Sequence, residues 1–403
     1  MAEPSRASAL RNGYLVQHRA MNLALRARDA WLRSRGSRAP VGTVAVPRRL
    51  LVCVGGHLGD AVLATSVLPT LQSAYPDAEI GVLAPSWARP VFEGHPAIRW
   101  LHALDHWKTN RAGTALRRWA ANRRTAARAR KEIRQVRYDT AIDLYPFFPN
   151  ASALLADAAI PTRIGYTSGG GGPLYTHAVP WADTTRHTVE QHDMLLRAFL
   201  PDVPPGAPRY DLPPLGRAEC ARGRATLSKL SIAEGSYVIM HPGVGDWRKR
   251  WPAHHWRALV ARLRRHDAGL AVVFTGHGDA DAALIDDIRD HDDSLISRCG
   301  CTSWGELRYL LANASLVVGV DSVAAHLAAA HDVPCIAIMA AMSDPAHWRP
   351  LGSRVRVLTN AVPCAPCFRS KGCATMSCVR GVSVDAVEGA AVALLDPTEA
   401  TTR

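Results

Sequence analysis

Three turns that each follow an apolar run carry the side chains of this sequence that are best suited to chemistry. The first turn spans residues 55–60 and reads GGHLGD. Its glycines would let the backbone approach a ligand closely, and the carboxylate of Asp60 could act there as a general base. A helix N-cap is the alternative role for Asp60. Because the G-x-G-x-x-G spacing is missing, the turn is not typical of a dinucleotide site.

The second turn spans residues 241–252, reads HPGVGDWRKRWP and directly follows an apolar run. It places His241 and Gly243 a few residues before Lys249 and Arg250. Cations in such a loop could hold a diphosphate and offset the charge that develops on a leaving phosphate. A solvated basic loop is the alternative. The close grouping of glycine, tryptophan and cations favours the diphosphate site.

The third turn connects an apolar run to a predicted helix at Asp321 and Ser322. Either residue could cap that helix, whose first N–H groups could bind a phosphate. His326 follows about one turn later on the same face, so we expect Asp321 and His326 to line a ligand cleft. Near the end of an earlier apolar run, Asp279 or Asp281 could accept hydrogen bonds from ribose hydroxyls. An ordinary helix start would explain both of these aspartates.

Four cysteines near the carboxyl end form a C-x2-C-x5-C-x4-C array: Cys364, Cys367, Cys373 and Cys378. Four thiolates could close a tetrahedron around zinc or iron. A reduced, metal-free knuckle is the alternative. A metal here should be structural, because four protein ligands leave no open position for chemistry.

A basic stretch coincides with the longest predicted helix, residues 114–136. Glu132 is the only acid that accompanies its many arginines, among them Arg117, Arg118, Arg124 and Arg128. The helix could rest on an anionic membrane or grip a phosphorylated acceptor. Its expected apolar side consists of Leu116, Trp119, Ile133 and Val136. Nucleic acid would suit the charge, but no nucleic-acid-binding motif is visible, and we expect no such partner.

Short apolar strands, separated by helical stretches, must position these turns. The predicted strands cover residues 50–54, 79–83, 98–101, 140–144, 237–240, 271–275, 316–319, 334–338 and 355–358. Such alternation is typical of an α/β protein with parallel sheets covered on both faces. We therefore predict two Rossmann-like domains that face a central cleft, a common place for a nucleotide-bearing ligand.

The predicted divisions follow from composition and length. They are a basic helical extension over residues 1–48, an N-terminal domain over 49–200, a proline-rich linker over 201–216, a C-terminal domain with the cysteines over 217–390, and a tail over 391–403. In the extension, arginines recur every seven residues at positions 19, 26 and 33, which predicts a helix that ends near residues 39–42.

Composition excludes several classes of protein. The chain has 403 residues, a hydrophobic fraction of 48% and a charged fraction of 21%, so a mostly disordered or fibrous protein is excluded. Its net charge of +13 suits an anionic partner. We see no membrane-spanning run and no secretory signal, and we expect the protein in the cytoplasm, with a peripheral position at the inner face of the cell membrane as an option. In that compartment the nine cysteines should not form a disulfide framework.

Taken together, these motifs resemble glycosyltransferase family nine, the bacterial ADP-heptose:lipopolysaccharide heptosyltransferases. The resemblance covers roughly residues 48–390. The residues that carry it are GD at 59–60, RIGY at 163–166, RHTVE at 186–190, HPG at 241–243, KRWP at 249–252, DS at 321–322, HLA at 326–328, DP at 344–345 and PCAPC at 363–367.

The resemblance implies a GT-B fold, with the acceptor bound by the N-terminal domain and the nucleotide sugar by the C-terminal one. It implies inversion at the sugar's anomeric carbon without a metal cofactor, with ADP-heptose as the expected donor. The acceptor would be a lipopolysaccharide core, another glycan or glycolipid, or a small natural-product scaffold. In this scheme Asp60 would deprotonate the acceptor hydroxyl. Lys249 would stabilise the departing diphosphate, together with backbone groups near Ser322. Asp321 would hold sugar hydroxyls, and Asp279 would bind the ribose.

The chain departs from the family pattern in two places. Val323 and Ala324 replace the usual glycine and proline after Asp321 and Ser322, and AMSDP at residues 341–345 replaces a GPTDP loop. A Cβ at Val323 narrows the approach of a phosphate. Two other hypotheses therefore stay open at this point: a nucleotide-sugar epimerase of the same fold, and a non-catalytic module that binds a glycan or lipid.

Overall fold

The chain folds into two compact units, residues 1–213 and 214–403. This computed structural model describes residues 14–16, 19–35, 44–180, 186–204, 209–342, 344–367, 373 and 375–396. The division between the units falls within the predicted linker. The expected helix end at residues 39–42 lies outside the described residues.

Unit 1 is built on a six-stranded sheet in which all neighbouring strands run parallel, in the order β3-β2-β1-β4-β5-β6. The strands are β1 Arg49–Cys53, β2 Glu79–Ala84, β3 Ile98–Ala103, β4 Thr140–Asp143, β5 Thr162–Tyr166 and β6 His177–Val179. The central strands β1 and β4 are almost wholly buried, and their charged residues, Arg49 and Asp143, lie at strand ends. The carboxyl ends of the parallel strands meet at one edge of the sheet, where α/β proteins bind their ligands.

The helices of unit 1 alternate with its strands, which is the Rossmann-like arrangement that the sequence predicts. They are α1 Arg19–Ser34, α2 Leu58–Ala64, α3 Val67–Ala74, α4 Arg89–Phe92, α5 Ala115–Val136, α6 Ser152–Asp157 and α7 Thr188–Phe199. Only β5 and β6 were not predicted in this unit. β5 contains an arginine and a glycine within five residues and β6 has three residues, so neither forms an apolar run.

The N-terminal helix α1 is attached to unit 1 through a buried carboxylate. Asp29 is fully buried and accepts hydrogen bonds from the Gly171 N–H at 2.8 Å and from the Tyr14 hydroxyl at 2.6 Å. Leu25, the other buried residue of the helix, packs against Gly170. The helix therefore braces the glycine-rich loop that follows β5.

The basic helix α5 covers almost the range that the sequence predicts. Thr114 caps its first turn, and Arg137 ends it in the left-handed conformation. Of the expected apolar side, Leu116 is 74% exposed and Trp119 is 49% exposed, so these two side chains do not pack into the core. Ile133 is buried against the sheet, so only the C-terminal half of α5 packs into the core.

Unit 2 repeats the architecture with a second parallel sheet of six strands, in the order β12-β11-β10-β7-β8-β9. The strands are β7 Tyr237–His241, β8 Ala271–Phe274, β9 Ile296–Ser297, β10 Leu316–Val320, β11 Cys335–Ile338 and β12 Val355–Leu358. All except the two-residue β9 were predicted. Trp251 and Trp256 are fully buried at the centre of its core.

The helices of unit 2 flank this sheet. They are α8 Arg217–Lys229, α9 Ala253–His266, α10 Asp279–Arg289, α11 Trp304–Ala312, α12 Val323–Ala330, α13 Pro345–Trp348, α14 Ser377–Arg380 and α15 Val384–Leu395. Across the described part of both units, no helix is both long enough and apolar enough to cross a membrane. The candidate site residues of the three turns thus lie at the carboxyl ends of two separate parallel sheets.

Candidate active site

In unit 1, Asp60 lies at the carboxyl edge of the sheet, directly after β1. Helix α2 begins at Leu58, and its N-cap is His57, so Asp60 lies in the first turn of the helix. The expectation that Asp60 itself is the N-cap is therefore wrong. Its carboxylate, at the third helical position, accepts the His57 backbone N–H at 2.7 Å, as in a capping box. Gly56 has φ +82°, and a Cβ there would collide with the Asp60 carboxylate, so this turn requires glycine.

A second carboxylate, Asp143, lies at the end of β4, beneath the turn that contains Asp60. It is buried and accepts hydrogen bonds from the Tyr175 hydroxyl at 2.7 Å, the Ala151 N–H at 2.6 Å and the Tyr145 N–H at 3.1 Å. The Tyr145 ring in turn packs so closely over Gly55 that a Cβ on that residue would collide with it. Asp143 therefore orders the three segments that surround the Asp60 turn.

Burial raises the pKa of the Asp143 carboxyl to about 6, and its three hydrogen bonds oppose this rise without cancelling it. Since the folded state holds this proton more tightly than the unfolded chain, the free energy of unfolding should fall as the pH rises from about 4 to about 6. The loss should be on the order of 3 kcal/mol. Asp143→Asn should remove this component, which urea unfolding at both ends of that pH window would measure. A variant whose stability follows the wild-type pH dependence would contradict the assignment.

Two further side chains approach the same edge from the segment after β3. Burial lowers the pKa of His106 to about 4, helped by the charge of Lys108, so its imidazole is neutral near pH 7. Burial also lowers the pKa of Lys108, whose ammonium lies 5.2 Å from the Phe148 ring centroid. His106 lines a small cavity together with Gly56 and Asp143. This edge thus combines a carboxylate with neutral and cationic groups that could orient a hydroxylated, anionic ligand.

Sequence reasoning did not identify Asp143, His106 or Lys108. A signal for Asp143 existed, because it ends a predicted strand of a parallel sheet, and ligands bind at that edge. The environment of His106 and Lys108 depends on packing against Phe148, which spacing along the chain does not indicate.

In unit 2, the structure pairs two of the predicted site residues that are far apart in sequence. The Lys249 ammonium lies 2.6 Å from the Asp321 carboxylate, with 27% and 12% of the two side chains exposed. Lys249 ends a short 3₁₀ helix after β7, and Asp321 follows β10, the neighbouring strand. The predicted cation and the predicted sugar ligand thus share one position at the carboxyl edge of the sheet.

The His241–Gly243 segment packs against Asp281. A Cβ at Gly243 would collide with the Asp281 carboxylate, which also accepts the His277 N–H at 3.1 Å and lies 3.8 Å from the Arg250 guanidinium. His241 is buried and bonds the Thr275 hydroxyl at 2.9 Å, and burial lowers its pKa to about 4. The imidazole of His241 is therefore neutral at neutral pH.

The two aspartates that sequence could not separate have different surroundings. Asp281 is engaged by the loop before it and by Arg250, and its side chain is 13% exposed. Asp279 is exposed in the first position of α10. Asp281 therefore holds the His241–Gly243 segment, whereas Asp279 faces solvent.

Ser322 is the N-cap of α12, but its side chain makes no capping hydrogen bond. Its hydroxyl oxygen is buried and has no hydrogen-bond partner among the described residues. The first N–H groups of α12 have no partner within the helix, as in any α-helix. Hydroxyl and N–H groups together form a site suited to a phosphate oxygen. His326 is buried one turn further along α12, away from solvent.

The structure does not support a metal site at the four cysteines that the sequence singled out. Among the described residues, no group of three or more histidine, cysteine or acidic side chains is arranged to hold a metal ion. Cys364 is exposed, whereas Cys378 is buried and packs into the core of unit 2. Burial raises the pKa of the Cys378 thiol, and the charges of Cys367, Cys373 and Cys364 raise it further. The structure thus does not support structural zinc or iron at this array.

The chain matches known proteins over most of its length. A model of glycosyltransferase family 9 (heptosyltransferase) matches residues 126–376. Lipopolysaccharide heptosyltransferase 3 of Escherichia coli is 27% identical over 299 residues, which are 72% of this chain and 83% of that protein. The structure of E. coli ADP-heptose lps heptosyltransferase II is 22% identical, with a TM-score of 0.67 over 87% of this chain and 99% of that one. An E. coli heptosyltransferase solved with ADP-2-deoxy-2-fluoro heptose is 19% identical, with a TM-score of 0.62 over 85% and 98%.

These matches agree with the geometry of both units. The family model includes Lys249 and Asp321 of unit 2, and the solved structures share the fold of two parallel-sheet domains. The match also favours a transferase over the epimerase and the non-catalytic module that the sequence left open. The chain has the GT-B fold and belongs to glycosyltransferase family 9, and it is therefore a glycosyltransferase of the heptosyltransferase type.

Proposed function

We propose that this enzyme transfers a heptose from ADP-heptose to a hydroxyl of a lipopolysaccharide acceptor, with inversion and without a metal cofactor. The observation that carries the proposal is the contact between Lys249 and Asp321 at the carboxyl edge of the second sheet. It brings together a lysine that we assign to the diphosphate and a carboxylate that we assign to the sugar hydroxyls. The names of the E. coli relatives, and the ADP-sugar analogue solved with one of them, support this donor and this acceptor.

The proposed reaction is a displacement at the anomeric carbon of the sugar. The Asp60 carboxylate takes the proton of the acceptor hydroxyl as the acceptor oxygen forms its bond to that carbon. The bond from the carbon to the β-phosphate oxygen breaks, and its electron pair leaves with ADP. Because the acceptor enters on the face opposite the leaving group, the configuration inverts. Lys249 and the first N–H groups of α12 offset the negative charge that accumulates on ADP.

The surroundings of the aspartates suggest how the adenosine is held. Asp281 is occupied by the His277 N–H and Arg250. We therefore assign the ribose hydroxyls to Asp279, which is exposed at the start of α10. Arg250, 30% exposed, lies beside this loop and could contact the diphosphate.

The residues that depart from the family pattern are compatible with this donor. Ala324 and Ala341 are buried, so their methyl groups pack into the protein interior. Val323 is partly exposed at the first position of α12. Of these three residues, only Val323 is in a position to narrow the phosphate site.

We assign the arginines of α5 to the anionic part of the acceptor. Arg117 and Arg124 are exposed, and Arg118 donates to the Asn110 carbonyl. Arg128 forms an ion pair with Glu132 at 2.6 Å, so its charge is partly compensated. The first turn of α5 lies at the end of the segment that follows β3, on the same edge of the sheet as Asp60.

The donor is tested by thermal unfolding with a panel of nucleotide sugars. ADP-heptose at about 100 times its dissociation constant should raise the free energy of unfolding by roughly 2.7 kcal/mol. UDP-, GDP- and dTDP-linked sugars should give smaller shifts. Asp279→Asn should weaken ADP-heptose binding more than the neighbouring exposed change Asp286→Asn. A larger shift with another base would overturn the ADP assignment while leaving the family unchanged.

A further inference from the structure

The outward face of α1 carries a stripe of apolar side chains that do not pack against the rest of the protein. The inward face already packs on unit 1 through Leu25 and Asp29. On the opposite side, Leu23 is 69% exposed and Trp31 is 52% exposed. With about 3.6 residues per turn, four exposed alanines fall in the same stripe. They are Ala20, Ala24, Ala27 and Ala30.

Rows of arginines flank this stripe on both sides. Arg19, Arg26 and Arg33 follow one flank at seven-residue spacing, and Arg28 and Arg35 follow the other. The helix contains a single acidic residue, which is buried. An apolar stripe between cationic rows is complementary to the boundary between acyl chains and anionic headgroups of a bilayer.

The surroundings of Trp31 are likewise suited to the interface between acyl chains and headgroups. The Arg35 guanidinium lies over its ring, 4.3 Å from the centroid. Tryptophan is enriched at membrane interfaces, because its ring is apolar and its N–H is polar, and arginine can extend its charge from such a site to the headgroups.

The attachment of α1 places this stripe on the acceptor edge of unit 1. Asp29 bonds the Gly171 N–H in the loop after β5, and Leu15 N–H donates to the Ser168 carbonyl at 2.7 Å. That loop and the Asp60 turn both follow the carboxyl ends of parallel strands in one sheet. A surface bound to α1 would therefore be near the edge that we assign to the acceptor.

We propose that α1 docks unit 1 on an anionic lipid bilayer by inserting Leu23 and Trp31 between the headgroups. The arginine rows then contact lipid phosphates. Nucleic acid would satisfy the arginines but leave Leu23 and the alanines against water, so the bilayer is the better occupant. This interaction goes beyond the proposed function, since it needs neither donor nor acceptor.

Vesicle sedimentation of the full-length protein tests this proposal. The wild type should bind vesicles of phosphatidylglycerol and phosphatidylethanolamine and should bind phosphatidylcholine vesicles far less. Leu23→Ser combined with Trp31→Ser should lower the partition coefficient by about tenfold or more. Arg26→Gln and Arg33→Gln should each lower it by about fivefold, and added salt should reduce these arginine effects.

Two matched variants test whether vesicle binding depends on α1 or on other exposed apolar side chains of unit 1. Val46→Ser with Met194→Ser removes exposed apolar side chains elsewhere in unit 1 and should leave binding unchanged. Leu116→Ser with Trp119→Ser tests the exposed end of α5. The proposal is overturned if the α1 variants bind like the wild type, if the α5 variant alone abolishes binding, or if neutral vesicles or duplex DNA bind equally well.

Two further measurements separate this proposal from folding defects and from the proposed function. The thermal unfolding midpoint of the variant with Leu23→Ser and Trp31→Ser should match that of the wild type, because both of these side chains are exposed. Transfer to a lipid-free, water-soluble acceptor fragment should also be unchanged. A failure of the ADP-heptose assignment would leave the vesicle result standing, whereas loss of transfer to the soluble fragment in the α1 variants would contradict a purely membrane-binding role.

Discussion

Asp60→Asn should lower kcat by about 10²- to 10⁴-fold, the range expected when a general base is lost. The substitution is well matched to the local structure. An amide oxygen can still accept the His57 N–H that the carboxylate accepts at 2.7 Å, so the start of α2 should persist. The amide cannot take a proton from an acceptor hydroxyl. The measurement is single-turnover transfer at saturating donor and acceptor.

The decisive comparison is between catalysis and binding. ADP-heptose should stabilise the Asp60→Asn variant as much as the wild type, because Lys249, Asp321 and Asp279 belong to unit 2. Gly56→Ala serves as the contrasting change, since its Cβ would displace the Asp60 carboxylate and should lower both activity and the thermal unfolding midpoint. If Asp60→Asn kept near-normal kcat, Asp60 would be a capping residue and the base would have to be sought elsewhere.

Much of the architecture could be predicted because its signal is local. Strands β7 and β10 are buried on both faces and therefore appear as uncharged apolar runs, as does β1 after its exposed first residue. Helix α5 is marked by a threonine cap and by the absence of helix-breaking residues. Strands β6 and β9 could not be predicted, because they are short and are stabilised by neighbours already in the sheet. Strand β5 could not be predicted, because its arginine and glycine interrupt the apolar run.

In the candidate site too, the residues that have a local sequence signal could be predicted, whereas contacts between distant residues could not. Spacing indicated Asp60, Lys249 and Asp321, since each follows an apolar run at the point where a parallel sheet binds ligands. It could not indicate that Lys249 and Asp321 touch, because 72 positions separate them and only the pairing of β7 with β10 brings them together. The four cysteines show the opposite case, because their spacing left a metal site open as one of two alternatives and the described residues do not support it.

Lys249→Ala should lower kcat by about 10²- to 10³-fold, comparable to the loss of one preorganised donor to a developing oxyanion. The ammonium now contacts Asp321, so ADP-heptose must draw it toward the diphosphate. Removing it also leaves the largely buried Asp321 carboxylate without its partner, which should repel the diphosphate and weaken donor binding. Lys229→Ala, which removes an exposed lysine at the end of α8, should have no effect on either quantity.

A second substitution separates these two effects. In the Lys249→Ala background, Asp321→Asn should recover part of the lost ADP affinity, because the repulsion disappears, but should not recover kcat, because no cation reaches the leaving group. The double-mutant cycle should therefore show coupling in ADP binding, measured by calorimetry. Additive effects on ADP binding would mean that the contact between Lys249 and Asp321 is not part of the donor site. Recovery of kcat in the double variant would show that Lys249 acts only by neutralising Asp321, and the leaving group would then depend on the N–H groups of α12 alone.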